Sequence, residues 1–199
     1  WPTTRVTLLS QIQEAADEGA WRTFVDLYTP LIYRYCCKRG LQDADAQNVT
    51  QEVFSRVSRA IQTFEYDPER GQFRSWLGLM IHQQILRHLS KQKAIGQGIG
   101  AGVGDDLCDS LSGEVDGAWL ESFNAHIYRC ALDRIRGEFD DVTWQVFEQV
   151  WEAGKSPKEV AEQVQKGPQW VYQAKFKVLQ RLREEILRLS ADVAVFNRK

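Results

Sequence analysis

Ten of the chain's 25 lysines and arginines stand in two stretches that contain no aspartate or glutamate. Residues 70–93 hold Arg70, Arg74, Arg87, Lys91 and Lys93; residues 163–183 hold Lys166, Lys175, Lys177, Arg181 and Arg183. The other 15 share the rest of the chain with all 27 acids. A formal charge of −2 by itself argues against a polyanionic partner, but charge concentrated in this way attracts phosphate locally while the acidic body repels it elsewhere. Amides and aromatics accompany the bases: Phe73, Trp76 and Gln83 in the first stretch, Gln169, Tyr172, Gln173 and Phe176 in the second. Glutamine can pair bidentately with adenine and lysine with guanine, and an aromatic ring can touch a thymine methyl or stack on an unpaired base. The chemistry these residues offer is recognition of nucleic acid.

Bond-making chemistry has no counterpart in the sequence. It shows no Ser/His/Asp or Cys/His pattern, no metal-ligand cluster and no phosphate-binding GxxxxGK[ST] loop, and its three histidines are scattered. Cys36, Cys37, Cys108 and Cys130 have neither zinc-ligand spacing nor a disulfide framework, and read as small buried side chains in a reducing cytosol. Gly96, Gly98 and Ala101 could be forced onto a dinucleotide fingerprint, but no strand precedes them and both flanks are helical. The expectation is a non-enzyme without metal or cofactor. No apolar run approaches the roughly 20 residues needed to cross a bilayer, so no membrane insertion is expected.

Helical periodicity supplies the elements that would position the bases. Leu8, Leu9 and Ile12 mark a short amphipathic helix; Trp21, Phe24, Val25, Tyr28, Leu31, Ile32 and Tyr35 form a core stripe through Pro30, which should kink that helix or start another. Lys38-Arg39-Gly40 supplies a stop. From Asp43 to Phe64, Val49, Val53, Val57 and Ile61 build one apolar stripe and leave polar residues outward. A turn signal over Tyr66–Gly71 precedes a basic helix carrying Phe73, Trp76, Leu77, Met80, Ile81, Ile85 and Leu89, with Trp76 expected in the core. Alternate glycines from Gly96 to Gly104 then predict a flexible linker over 93–117. Beyond it lie a helix with Leu120, Phe123, Ile127, Ala131 and Ile135, a second capped by Asp140 or Asp141 and closed by Gly154, and a short one opened by the Ser156-Pro157-Lys158-Glu159 capping box. A turn at Gln165-Lys166-Gly167 leads into a last helix from Pro168. Short helix, tight turn and longer basic helix form a helix-turn-helix. The fold class read from this pattern is all-α, two helical domains joined by a glycine-rich tether.

The motif DADAQNVTQEVF, the segment FEYDPERGQFRSWL and the helix-turn-helix, in that order, resemble a bacterial RNA polymerase sigma factor of the sigma-70 family, of the small extracytoplasmic-function (ECF) type. The resemblance implies a core domain at 1–92, a linker at 93–117 and a C-terminal helix-turn-helix domain at 118–199. It implies that Asp45, Asn48, Gln51, Glu52 and Arg56 dock on the clamp coiled coil of the largest polymerase subunit. Phe64, Arg70, Arg74, His82, Gln83 and Arg87 would meet the minus-ten element, which the segment from Phe64 opens to capture an unstacked base. Gln169, Tyr172, Gln173, Phe176 and Lys177 would read the minus-thirty-five element, with Arg181 farther along toward phosphate. The implied partners are core polymerase and promoter DNA, in the cytoplasm, and the resemblance admits an anti-sigma factor as a further partner.

Four positions depart from the family's pattern. Gln83 and Arg87 stand where the minus-ten helix commonly has Asn and Asp, Gln165 occupies a turn position usually filled by glycine, and Lys175 replaces what is often an apolar residue. Two other classes remain open at this point: a helix-turn-helix regulator acting without polymerase, and a sigma-like interaction adaptor that has lost DNA binding.

Overall fold

A computed structural model describes residues 7–13, 18–64, 73–96 and 115–190, the side chains of 95 and 96 excepted. Among them every regular element is helical and none is a strand: α1 (Leu8–Gln13), α2 (Glu18–Lys38), α3 (Asp43–Ala60), α4 (Phe73–Gly96), α5 (Gly117–Ile135), α6 (Asp141–Phe147), α7 (Pro157–Gln163) and α8 (Pro168–Ser190). The protein is all-α. Its chain divides into two compact units, Trp1–His126 and Ile127–Lys199, at a point inside α5. The predicted turn Tyr66–Gly71, with Arg70, and most of the predicted linker, with Cys108, lie outside the described residues.

In the first unit α2 packs on α1 and α3, and α3 on α4. α2 runs unbroken through Pro30, so the expected new helix does not form there. Burial of Leu27, Tyr28, Leu31 and Ile32 on either side of the proline supplies the packing energy that overrides the lost backbone hydrogen bond. The helix ends in a Schellman turn: Gly40 takes φ +88°, Leu41 N–H donates to the Cys36 carbonyl and Gly40 N–H to that of Cys37. Cys36 is buried, and burial pushes its thiol up to about 12, whereas Cys37, read from sequence as buried, is exposed. α3 opens with Asp43 and Asp45 in its first turn, where carboxylates favour the helix dipole. Its stripe Val49, Val53, Val57 is at most 1% exposed, and Phe73, Leu77, Ile81 and Ile85 of α4 are buried.

The start of α5 belongs to this unit. Asp116 caps it, accepting from Ala118 N–H at 3.0 Å, and is itself held by the Tyr35 hydroxyl at 2.5 Å and by Arg39. Trp119 and Phe123 are buried, with the Phe123 ring 5.9 Å from Tyr28. His126 Nε2–H donates to the Leu27 carbonyl at 2.6 Å, which leaves Nδ1 to accept from Arg34 at 3.2 Å. The glycine run placed the second domain from 118 in the sequence reading; the first unit runs on to His126 because Trp119, Phe123 and His126, at helical spacing, face α2 and α4. α4 likewise continues to Gly96, past the predicted start of the linker.

Trp119 reaches α4 only because residue 78 has no side chain. A Cβ on Gly78 would stand 2.5–2.6 Å from the indole, whose Nε1 donates to the Arg74 carbonyl at 2.7 Å.

The second unit is built around Val146, Val160, Ala161, Val171 and Ala174. Asp140 caps α6, accepting from Thr143 N–H at 2.8 Å. The sequence-read helix through Trp151 changes to a π-helical turn at Glu148–Glu152, where the Trp151 indole N–H donates to the Tyr128 hydroxyl. The capping box is formed: Glu159 N–H donates to Ser156 Oγ and Ser156 N–H to Glu159 Oε2. α7 ends in a second Schellman turn, with Lys166 N–H on the Ala161 carbonyl and Gln165 N–H on that of Glu162. Its left-handed position is Gln165, φ +52°, where glycine is the unstrained residue.

Gly78→Ala is expected to lower the thermal stability of the protein. Helix propensity alone would add about 1 kcal/mol, but overpacking an anchored, buried ring costs about 1–3 kcal/mol. Thermal unfolding of the variant measures the sign, and a raised Tm would show that the indole can move aside.

Candidate functional site

α3 and α4 enclose a groove of ≈ 550 Å³ lined by Asn48, Val49, Gln51 and Glu52 on one wall and by Gln84, Arg87, His88, Lys91 and Gln92 on the other. The valine stripe faces the core, so helical geometry turns Asn48, Gln51 and Glu52 outward, and all three are exposed. Asp45 and Arg56 are half-buried and tie the walls together. Asp45 Oδ2 accepts from Gln92 at 3.0 Å, its Oδ1 lies 3.1 Å from His88 Nε2, and Arg56 reaches Gln84 at 3.4 Å. Acid therefore comes only from α3 and base mainly from α4, through Arg87 and Lys91, and the groove presents both signs to whatever enters it. The structure brings together the five residues expected at the polymerase. It adds Gln84, His88, Lys91 and Gln92, whose spacing of three or four along α4 was the signal for a common face.

The six residues expected at the minus-ten element do not share one face. Arg70 lies outside the described residues. Phe64 is half-buried, its ring 4.7 Å from Trp76 and 6.1 Å from Phe73, so Trp76 packs at the core edge as expected. Arg74 donates to Asn124 of α5 at 3.0 Å, an internal contact rather than a free phosphate ligand. Gln83 is buried at 9% exposure, and Arg87 turns into the α3 groove. His82 is left exposed, on the outer side of α4 with Leu86 and Leu89.

Residues 24–95, from α2 to the end of α4, match the family model described as Sigma-70 region 2. Over these residues the first unit is similar to sigma-70 region 2. This supports a sigma-70-family sigma factor, with a role in binding RNA polymerase and melting promoter DNA. No curated protein sequence matches the chain. Region 2 ends before α5, although the first turns of α5 complete its packing. No described helix is long and apolar enough to cross a membrane, and no described cluster of His, Cys, Asp or Glu could hold a metal ion.

Outside region 2, α8 buries Val171, Ala174, Val178 and Leu182 and exposes Gln169, Tyr172, Gln173, Phe176 and Lys177 on its other side. The five therefore share one face, as expected. Arg181 does not extend it toward phosphate: its guanidinium is bidentate on Glu138 at 2.7 Å for both bonds, and its third contact reaches Glu185 at 3.2 Å. Glu185 is 2% exposed and also receives Arg188 at 2.5 Å. Burial pushes the Glu185 carboxyl up, but hydrogen bonds and charge from Arg188 and Arg181 outweigh it and hold the group below its ordinary value. The buried carboxylate of Glu185 compels Arg181 and Arg188, each within one helical turn of it, to stay, while the second partner of Arg181, Glu138, lies 43 residues away and could not be read from the sequence.

Arg181→Ala is expected to destabilise the protein by about 1–2 kcal/mol, the loss of charge-assisted hydrogen bonds to partners that are in part exposed. Because the folded pKa of Glu185 is depressed, its contribution is complete above the ordinary value of 4.5 and is lost as pH falls below that through the folded value. The difference between wild type and variant should shrink over that acid window in urea unfolding measured from pH 7 downward.

Proposed function

We propose that this protein is a sigma factor of the ECF type that binds core RNA polymerase and directs promoter-specific initiation, as a cytoplasmic, non-enzymatic subunit without cofactor. The observation that carries the reading is the coincidence of the region 2 match with the α3–α4 groove, whose outward residues are those the motif DADAQNVTQEVF assigns to polymerase. A groove with acid on one wall and base on the other suits a protein surface better than a polyanion, which would be repelled by Asp45 and Glu52. Docking on the clamp coiled coil of the largest subunit falls to Asp45, Asn48, Gln51, Glu52 and Arg56, with Arg87 and Lys91 across the groove. Opening of the minus-ten element falls to the segment from Phe64 and the outer face of α4. Reading of the minus-thirty-five element falls to α8 as the second helix of a helix-turn-helix, supported by its acid-free exposed face. An anti-sigma factor would be a further partner.

The direct test is transcription in vitro by core polymerase with and without the protein, followed by mapping of start sites; absence of promoter-dependent initiation on every template would overturn the reading. Gln51→Ala with Glu52→Ala should weaken core-polymerase binding while leaving helicity intact, since both side chains are exposed and neither supports the valine stripe. A pull-down titration with unchanged affinity would remove the groove from the interface. Gln173→Ala should cost about 1–3 kcal/mol on the preferred upstream element and little on a scrambled duplex, the size of one bidentate base contact.

A further inference from the structure

Among the described phenylalanines, tyrosines and tryptophans only two are exposed, and both lie on α8. Tyr172 keeps 50% of its surface and Phe176 66%. They stand one helical turn apart, opposite the buried Val171, Ala174 and Val178. With the exposed Gln169, Gln173 and Gln180 they make a stripe that carries no charge until it reaches the exposed Arg183 one turn beyond Gln180. Charge sits on its flanks, with Lys177 on one side and Lys175 on the other, the latter's Nζ 5.7 Å from the Tyr172 ring.

This arrangement distinguishes between ways of binding DNA. A helix that held only the phosphate backbone would carry its cations where it meets the duplex. A helix lying in the major groove, about 12 Å wide, meets base edges along its centre and phosphates at both rims. An uncharged centre between lysine margins fits the second geometry. Two large apolar rings at that centre then need an apolar partner, because pressing them on amino or keto edges would strip water from polar groups without replacing it. The one apolar group on the major-groove edge is the thymine 5-methyl.

We propose that Tyr172 and Phe176 read thymine methyl groups, so that the element bound by α8 is selected by apolar contact as well as by the hydrogen bonds of its glutamines. The inference rests on the proposed reading of α8 as a DNA-reading helix and names what that helix selects. Four residues of α-helix span about 6 Å, close to two base steps of about 3.4 Å. The two thymines therefore lie one or two base pairs apart, on either strand.

The test uses the full chain with bacterial core RNA polymerase. Duplexes are enriched from a randomised upstream region, and each thymine of the winning element is replaced by deoxyuridine, which deletes only the methyl. Two replacements, one or two steps apart, should each weaken binding about fourfold in competition, the effect of withdrawing one methyl-sized group from burial. In Phe176→Ala one of these sensitivities should vanish, and in Tyr172→Ala the other. The change is made in the DNA as well as in the protein, so misfolding of a variant cannot imitate the result. An enriched element indifferent to every deoxyuridine would overturn the methyl contact and leave DNA reading by α8 standing. Methyl sensitivity that survives both alanine variants would overturn the assignment to these rings. Failure to enrich any upstream element would overturn DNA reading itself, and this inference with it. Loss of polymerase binding in Phe176→Ala with selectivity for DNA unchanged would give the face to a protein partner instead.

Discussion

Removal of the α3 valine stripe from water is the interaction on which the first unit depends. Val49, Val53 and Val57 are all but completely buried, and Ile61 continues the line beyond the helix. Each such side chain is worth roughly 1.5–3 kcal/mol on burial, far more than any contact made by the residues between them. That difference decides how α3 is turned, and the orientation of every polar residue on it follows. Asn48, Gln51 and Glu52 point outward because the valines cannot. α4 must lie alongside to cover the stripe, and the residues at its near edge then become the second wall of the groove. The candidate polymerase surface is thus a by-product of core packing, which makes it rigid without dedicated support.

The second unit solves the same problem with more internal charge. Its last helix buries one face from Val171 to Leu189, and within that face sits Glu185, a carboxylate surrounded by Arg181 and Arg188. Burial of an ion is costly unless it is paired, so the arginines are fixed by the glutamate rather than by any ligand. The exposed end of the same helix has no such obligations, and its glutamines, lysines and aromatics are left to face outward. Strain is accepted at one place only among the described non-glycine residues: Gln165 takes the left-handed turn between α7 and α8. The Schellman hydrogen bonds around it and the packing of Val160, Ala161 and Val171 hold it there.

Helical periodicity carried the inside-outside assignment well. It put Val160, Ala161, Val171, Ala174 and Val178 inside; the Ser156-Pro157-Lys158-Glu159 motif placed the capping box, and the family resemblance marked Gln165 as an unusual turn residue. Periodicity also grouped the groove-side residues of α3 and the outward residues of α8. It failed for α4, a helix with apolar residues on several sides, where Gln83 is buried, Arg74 is engaged by α5 and Arg87 joins the groove. An amphipathic helix announces which face is wet; a helix covered by two neighbours does not announce which neighbour each polar residue will meet.

Sequence by itself determined the all-α class, the order of the helices, their caps and stops, and the two acid-free basic stretches, because each of these depends on residues within a few positions of one another. Tertiary structure alone decided what depends on distant pairs. Trp119 could be known to seat on Gly78, and Asp116 to be held by Tyr35 and Arg39, only once α5 lay against α2 and α4. The same holds for the extension of the first unit to His126, and for Arg181, whose charge faces Glu138 across the second unit rather than solvent. Local periodicity fixes the direction a side chain takes from its own helix axis; the group it then meets is set by how the helices pack, and that information is spread over the whole chain.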